Sequence, residues 1–194
     1  MKLPKLHMTI KTRAASPKCY DASYKRPYTD IKYLFVHGTG NDGDTDEGNA
    51  AYFSPEGSNT REAGAHLFID DDSATKSVPL NRVAFSVGGS VYDGAKSAGG
   101  ASFHGIATNA NSISIELCDT MKDGIFDISQ KTFDNAVEVV AFYCLKYNIP
   151  RNHILRHWDA TGKPCPSCMI GRDNALWKHF LEEVYELMDA CEKI

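Results

Sequence analysis

The chain has no stretch approaching the roughly 20 consecutive apolar residues of a membrane span. Its first residues, Met1-Lys2-Leu3-Pro4-Lys5-Leu6-His7, carry charge where a signal peptide would carry an apolar run. A protein made in the cytoplasm, with no membrane insertion, is the expectation. It has no basic excess either: the net charge is -4, and no Lys/Arg-rich face stands out that would follow a phosphate backbone, which argues against nucleic acid as a partner. Internal repeats are absent. The glycine-rich stretch Gly88 to Gly105 lacks a G-x-G-x-x-G set between a strand and a helix, so it is not a nucleotide loop. The cysteines at 19, 118, 144, 165, 168 and 191 fall at irregular spacings, several inside apolar periodic segments, unlike a secreted disulfide framework. Reduced thiols are expected. A second C-x-x-C to match Cys165 to Cys168 is missing, which excludes a zinc ribbon, and a redox pair would want a helix start in a thioredoxin-like fold. Cys168 reads as a spare thiol.

What is present suits one globular domain. At 194 residues the chain can bury a sizeable core but not two of typical size, and 42% hydrophobic with 24% charged residues is ordinary for a folded chain. Residues 1–25, polar with Pro17, read as an extended lead-in, and 26–194 as the domain. Tyr33-Leu34-Phe35-Val36 is a buried strand ended by glycine, and Ala65 to Ile69 a second one followed by a hairpin turn at Asp70-Asp71-Asp72. Short strands are expected at Lys76 to Leu80 and Val83 to Val87. Ser112 to Cys118 alternates Ile113, Ile115 and Leu117 with Ser112, Ser114 and Glu116, the period of a half-buried strand that sets Glu116 on one face with the two serines. Thr45 or Asp46 caps a short helix through Phe53. Ser129 to Tyr147 is a helix with a core stripe from Phe133 to Leu145, and Arg172 to Cys191 is the last one. Asn41 to Glu47 alternates acids but lacks the Gly and Glu spacing of a calcium loop, so it reads as a solvated loop. Gly88 to Gly105 reads as a long mobile loop.

The most informative stretch is His157-Trp158-Asp159-Ala160-Thr161-Gly162-Lys163-Pro164-Cys165-Pro166. His and Cys are favoured zinc ligands, and a spacing of eight with Gly and Pro between them requires a loop that curls round the ion rather than one helix face. Catalytic zinc takes three protein ligands and leaves one position open. His37, at the end of the first buried strand and held rigidly there, is the candidate third ligand.

These residues resemble the type-2 class of zinc-dependent N-acetylmuramoyl-L-alanine amidases, which includes phage endolysins and the peptidoglycan-recognition proteins. The likeness is carried in order by V-H-G-T at Val36 to Thr39, A-H-L-F-I at Ala65 to Ile69, N-S-I-S-I-E-L-C at Asn111 to Cys118, and H-W-D-A-T-G-K-P-C-P at His157 to Pro166. The resemblance implies an α/β fold of the T7-lysozyme type, a mixed central sheet of about five or six strands flanked by helices with the metal loop at one sheet edge. It implies Zn2+ on His37, His157 and Cys165, Glu116 as general base, and Lys163 as the cation that stabilises the oxyanion. His66 is implied to lie near the metal without ligating it, and substrate contacts to come from His66, His104, Phe103 and Thr39. Many members carry Tyr where Ala65 stands, so that residue's contribution does not carry over. The implied substrate is peptidoglycan, cut between N-acetylmuramic acid and L-alanine. An exportless wall enzyme of this kind would be a phage or prophage lysin, released to the wall by a separate membrane-permeabilising holin. Relatives that only bind wall fragments commonly lack the ligand cysteine, which Cys165 supplies.

Overall fold

A computed structural model describes residues 2–193. Seven strands form one mixed sheet in the order β1-β4-β3-β5-β2-β7, with β6 paired to β5 outside that path. Their ranges are β1 Thr9–Thr12, β2 Tyr33–Asp42, β3 Leu67–Ile69, β4 Ser73–Lys76, β5 Ser112–Lys122, β6 Ile125–Asp127 and β7 Ile154–Arg156. The helices are α1 Asp46–Tyr52, α2 Gln130–Tyr147, α3 His157–Thr161 and α4 Ala175–Glu192. The central strands β3, β5, β2 and β7 run parallel, while β3–β4 and β5–β6 are antiparallel hairpins. No helix among the described residues is long and apolar enough to cross a membrane.

Alternation along the strands sorts the two faces. Leu34 and Val36 of β2, Leu67 and Ile69 of β3, and Ile113, Ile115 and Leu117 of β5 point to one face and form the main core with α2 and α4. Ser129 caps α2 by accepting from the Thr132 N–H. Phe35, Phe68, His37 and Glu116 point to the other face, covered by α1, α3 and the chain between 78 and 111. β5 is therefore central and covered on both sides: Ser112 and Ser114 are buried, not the solvated side of a half-buried strand.

Several expected elements moved. The lead-in carries β1, which pairs with β4 and extends the sheet by an edge strand. β4 ends at Lys76, and Val83 to Val87 is irregular, its one bridge being Ala84 to Tyr20. The Asp70 turn is as expected, with the Asp70 carboxylate accepting from the N–H groups of Asp72 and Ser73. α4 begins at Ala175, because Asp173 and Asn174 sit in the left-handed region, with φ of 58° and 55°. His157 to Thr161 forms one helical turn before the chain curls at Gly162, so the metal loop starts as a helix. The Gly88 to Gly105 loop is pinned to that turn: Tyr92, Ala101 and Phe103 donate their N–H groups to the carbonyls of Thr161, Trp158 and Asp159 at the end of the short helix, the Trp158 carbonyl accepting the Gly162 N–H as well.

Candidate metal centre and active site

Strand register assembles the site. His37 on β2 is the cross-strand partner of Glu116 on β5, and Glu116 is in turn the partner of Phe68 on β3. On the other side Val36 pairs with Arg156 at the end of β7, so His157 emerges next to His37. The curl after α3 returns Cys165 to the same place: its Sγ lies 3.8 Å from His37 Nδ1 and accepts the Gly38 N–H at 3.4 Å. Ligand atoms of His37, His157 and Cys165 all lie within 4.8 Å of one another. Two donors on a tetrahedral zinc with ordinary bond lengths stand roughly 3.5 Å apart. The three side chains are buried, and His37 Nδ1 is 4.0 Å from Glu116 Oε1.

The electrostatics fit a dication. Burial, reinforced by His157 and Lys163, holds His37 well below its ordinary value, and burial with Lys163 lowers His157 to about 4, so both rings are neutral and able to ligate. Each ring also keeps a buried nitrogen without a hydrogen-bond partner, Nε2 of His37 and Nδ1 of His157. Burial pushes the Cys165 thiol up to about 12. A thiolate there needs a nearby positive charge, which a bound dication would supply. Burial likewise pushes Glu116 up to about 8, with Lys163 pulling the other way.

These groups line a cavity of about 170 Å3 together with Thr39, Ala65, Phe68, Ser86 and Lys163. It opens through Thr39, Asn41, Asn49, Phe53 and Ala63 into a groove of about 710 Å3 alongside α1. Residues 27–168 match the family model described as N-acetylmuramoyl-L-alanine amidase. The chain belongs to that family. Amidase CwlL of Bacillus licheniformis is 32% identical over 158 residues, covering 79% of this chain and 41% of that protein. Amidase BlyA of Bacillus subtilis (strain 168) is 34% identical over 146 residues, covering 71% of this chain and 36% of that protein. The chain thus spans about two fifths of the length of these curated relatives. Among solved structures, the PlyG catalytic domain superposes with a TM-score of 0.69 at 28% identity, over 93% of this chain and 96% of that one. PlyL does so with a TM-score of 0.65 at 26% identity, over 91% and 97%. A Bacillus subtilis endolysin, with a TM-score of 0.66 at 22% identity over 91% and 99%, shares the fold.

In this amidase fold the cavity gathers His37, Glu116, His157, Lys163, Cys165 and Thr39, whose hydroxyl donates to Asp119 Oδ1 at 3.2 Å. His66 corrects the expectation of a substrate contact. It is 1% exposed and does not line the cavity; its Nδ1 accepts the Ser114 N–H at 3.0 Å, and Nε2 lies 3.2 Å from the Arg82 carbonyl. The Ser114 bond leaves the ring proton on Nε2, so His66 is a neutral interior strut. Phe103 packs half-buried against Tyr33 and Phe35, and His104 is exposed with Nε2 near the Gly89 carbonyl; neither lines the cavity. Cys168 is half-buried and free. Two polar supports were not legible. Asp119 accepts the N–H groups of Gly40 and Asn41 and so holds the turn after His37. Arg26, from the lead-in boundary, is 2% exposed and donates to the carbonyls of Leu80, Asn109, Ala110 and Ser112. An arginine in Y-K-R-P-Y gives no local sign of burial; the S-I-E-L-C-D run at least places Asp119 three residues after Glu116.

Proposed function

We propose that the chain hydrolyses the amide between N-acetylmuramic acid and L-alanine in peptidoglycan, using Zn2+ held by His37, His157 and Cys165. The observation that carries this is the register that sets the Glu116 carboxyl beside two neutral imidazoles and a thiol in one cavity. Zinc, when bound, supplies a Lewis acid that polarises a carbonyl and brings the pKa of water toward neutrality. Glu116 takes the proton from the attacking water and passes it to the leaving alanine nitrogen. A carboxyl whose surroundings lift it toward neutral pH can hold and release that proton. The Lys163 ammonium lines the same cavity and stabilises the negative charge that develops on the carbonyl oxygen. The groove of about 710 Å3 beside α1, which shares lining residues with the cavity, is where the muramyl peptide would lie. Likeness to amidases and to an endolysin supports the further reading of a phage or prophage lysin that reaches the wall after holin-dependent release.

Glu116→Gln tests the assignment. It is expected to bind zinc as the parent does and to lose at least roughly 100-fold in turnover of purified peptidoglycan, the usual worth of a positioned general base. Normal turnover by a zinc-loaded Glu116→Gln would remove Glu116 from this role.

A further inference from the structure

We infer that Arg156 is a positioning residue for the metal centre, bracing the His157 arm against the Cys165 arm through Asp159 and the Met169 carbonyl. The inference rests on the reading of His37, His157 and Cys165 as zinc ligands.

Arg156 is the last residue of β7, directly before His157, and is 5% exposed. Its guanidinium grips Asp159 with two hydrogen bonds, Nε to Oδ2 at 3.1 Å and Nη2 to Oδ1 at 2.9 Å, and Asp159 Oδ2 also accepts the Arg156 N–H at 2.7 Å. This closes a ring over His157 and Trp158, so the backbone that presents the His157 imidazole is fixed at both ends. Nη1 turns the other way and donates to the Met169 carbonyl and to Asn174 Oδ1, both at 2.7 Å. Met169 in turn donates its N–H to the Pro166 carbonyl, next to Cys165, and the Trp158 N–H donates to the Cys165 carbonyl. One cation therefore ties together both arms of a curl whose middle holds only Gly162, Lys163 and Pro164. The face of Trp177, 5.1 Å from the guanidinium carbon, closes the brace off from water.

The charge serves this geometry. A buried Arg–Asp pair adds little net stability over an apolar replacement, but it holds a planar, bidentate angle that a lysine point charge cannot. Groups that orient metal ligands typically change metal affinity by about 10–100-fold when removed.

The test measures zinc affinity of the full chain by competition with a chromophoric chelator, and the visible spectrum of the Co2+-substituted protein, for the parent, Arg156→Lys and Asp159→Asn. Val140→Ala, in the α2 core on the opposite face of the sheet, serves as a variant that loses stability without touching the brace. Arg156→Lys and Asp159→Asn are expected to bind zinc roughly 10–100-fold more weakly and to shift the Co2+ bands. Val140→Ala is expected to bind as the parent does at a comparable loss of melting temperature. Parent-like affinity and spectrum in both brace variants, or equal weakening in Val140→Ala, would reduce Arg156 to a purely structural strut. His157→Ala separates the underlying reading: zinc binding that survives it would overturn the metal assignment, and the brace with it.

Discussion

Lys163 is exposed, yet its charge bears on Glu116, His37, His157 and Cys165, and the proposed reaction gives it the role of stabilising the oxyanion. Lys163→Met is expected to keep zinc and to lower kcat by roughly 10²–10³, the usual worth of one oxyanion-stabilising group. Unchanged kcat with a raised KM would assign it to binding instead. His66 sets a pH dependence of stability. Burial and the nearby Arg26 lower it from 6.5 to about 3, and protonation at Nδ1 would break the bond from the Ser114 N–H. Below pH 6.5 the unfolded chain therefore takes up a proton that the folded chain refuses. Stability contributed by this residue is full above that value and falls as pH drops toward 3, by up to about 1.4 kcal/mol per pH unit. His66→Gln is expected to flatten this limb in denaturant titrations run from about pH 7.5 down to about pH 4.5; curves parallel to the parent's would contradict it. The cluster of His37, His157 and Cys165 with Glu116 and Lys163 around one cavity was legible because each residue sits in a short, ordered motif. The His66 environment was not, since the Arg26 and Ser114 partners that bury it lie 40 and 48 residues away.

Among the elements, the glycine-rich strap and α3 are made for each other. Gly162 has a φ of +81°, and a Cβ there would lie 2.0 Å from that of Ala95; a Cβ on Gly100 would meet the Trp158 ring at 2.7 Å. Gly162→Ala is expected to cost roughly 3–5 kcal/mol, combining left-handed strain with overpacking. Gly105→Ala, at a similar φ with nothing within 4 Å, should cost only roughly 1–2 kcal/mol. Thermal or denaturant unfolding measures both, and equal losses would show that strap and helix are not tightly docked. In the sequence this strap looks like a mobile loop, because its anchors are backbone N–H groups, which composition cannot show. The same limit explains the strands. β2 and β5 were legible from apolar runs and alternation, whereas β1, β6 and β7 have four, three and three residues, too few for periodicity to appear, and they exist because a neighbouring edge was free to pair.

For the molecule as a whole, family membership, the mixed sheet and the His37-His157-Cys165 cluster together support the proposed chemistry, although fold alone would not give function. The parallel strands β2, β5 and β7 deliver His37, Glu116 and His157 to one end of the sheet, the usual place for a site in an α/β fold. That convergence is what an order of motifs along a chain can reveal: residues 37, 116 and 157–165 are far apart in sequence, and only the parallel register makes them neighbours. The decisive measurement is digestion of purified peptidoglycan by the protein, with the released ends identified by mass spectrometry in the presence and absence of a chelator. New L-alanine amino termini that vanish on chelation and return with added zinc are the expected result. Intact muramyl-alanine linkages across several wall types, from protein shown to be folded and zinc-loaded, would contradict hydrolysis and leave a wall-binding module in its place.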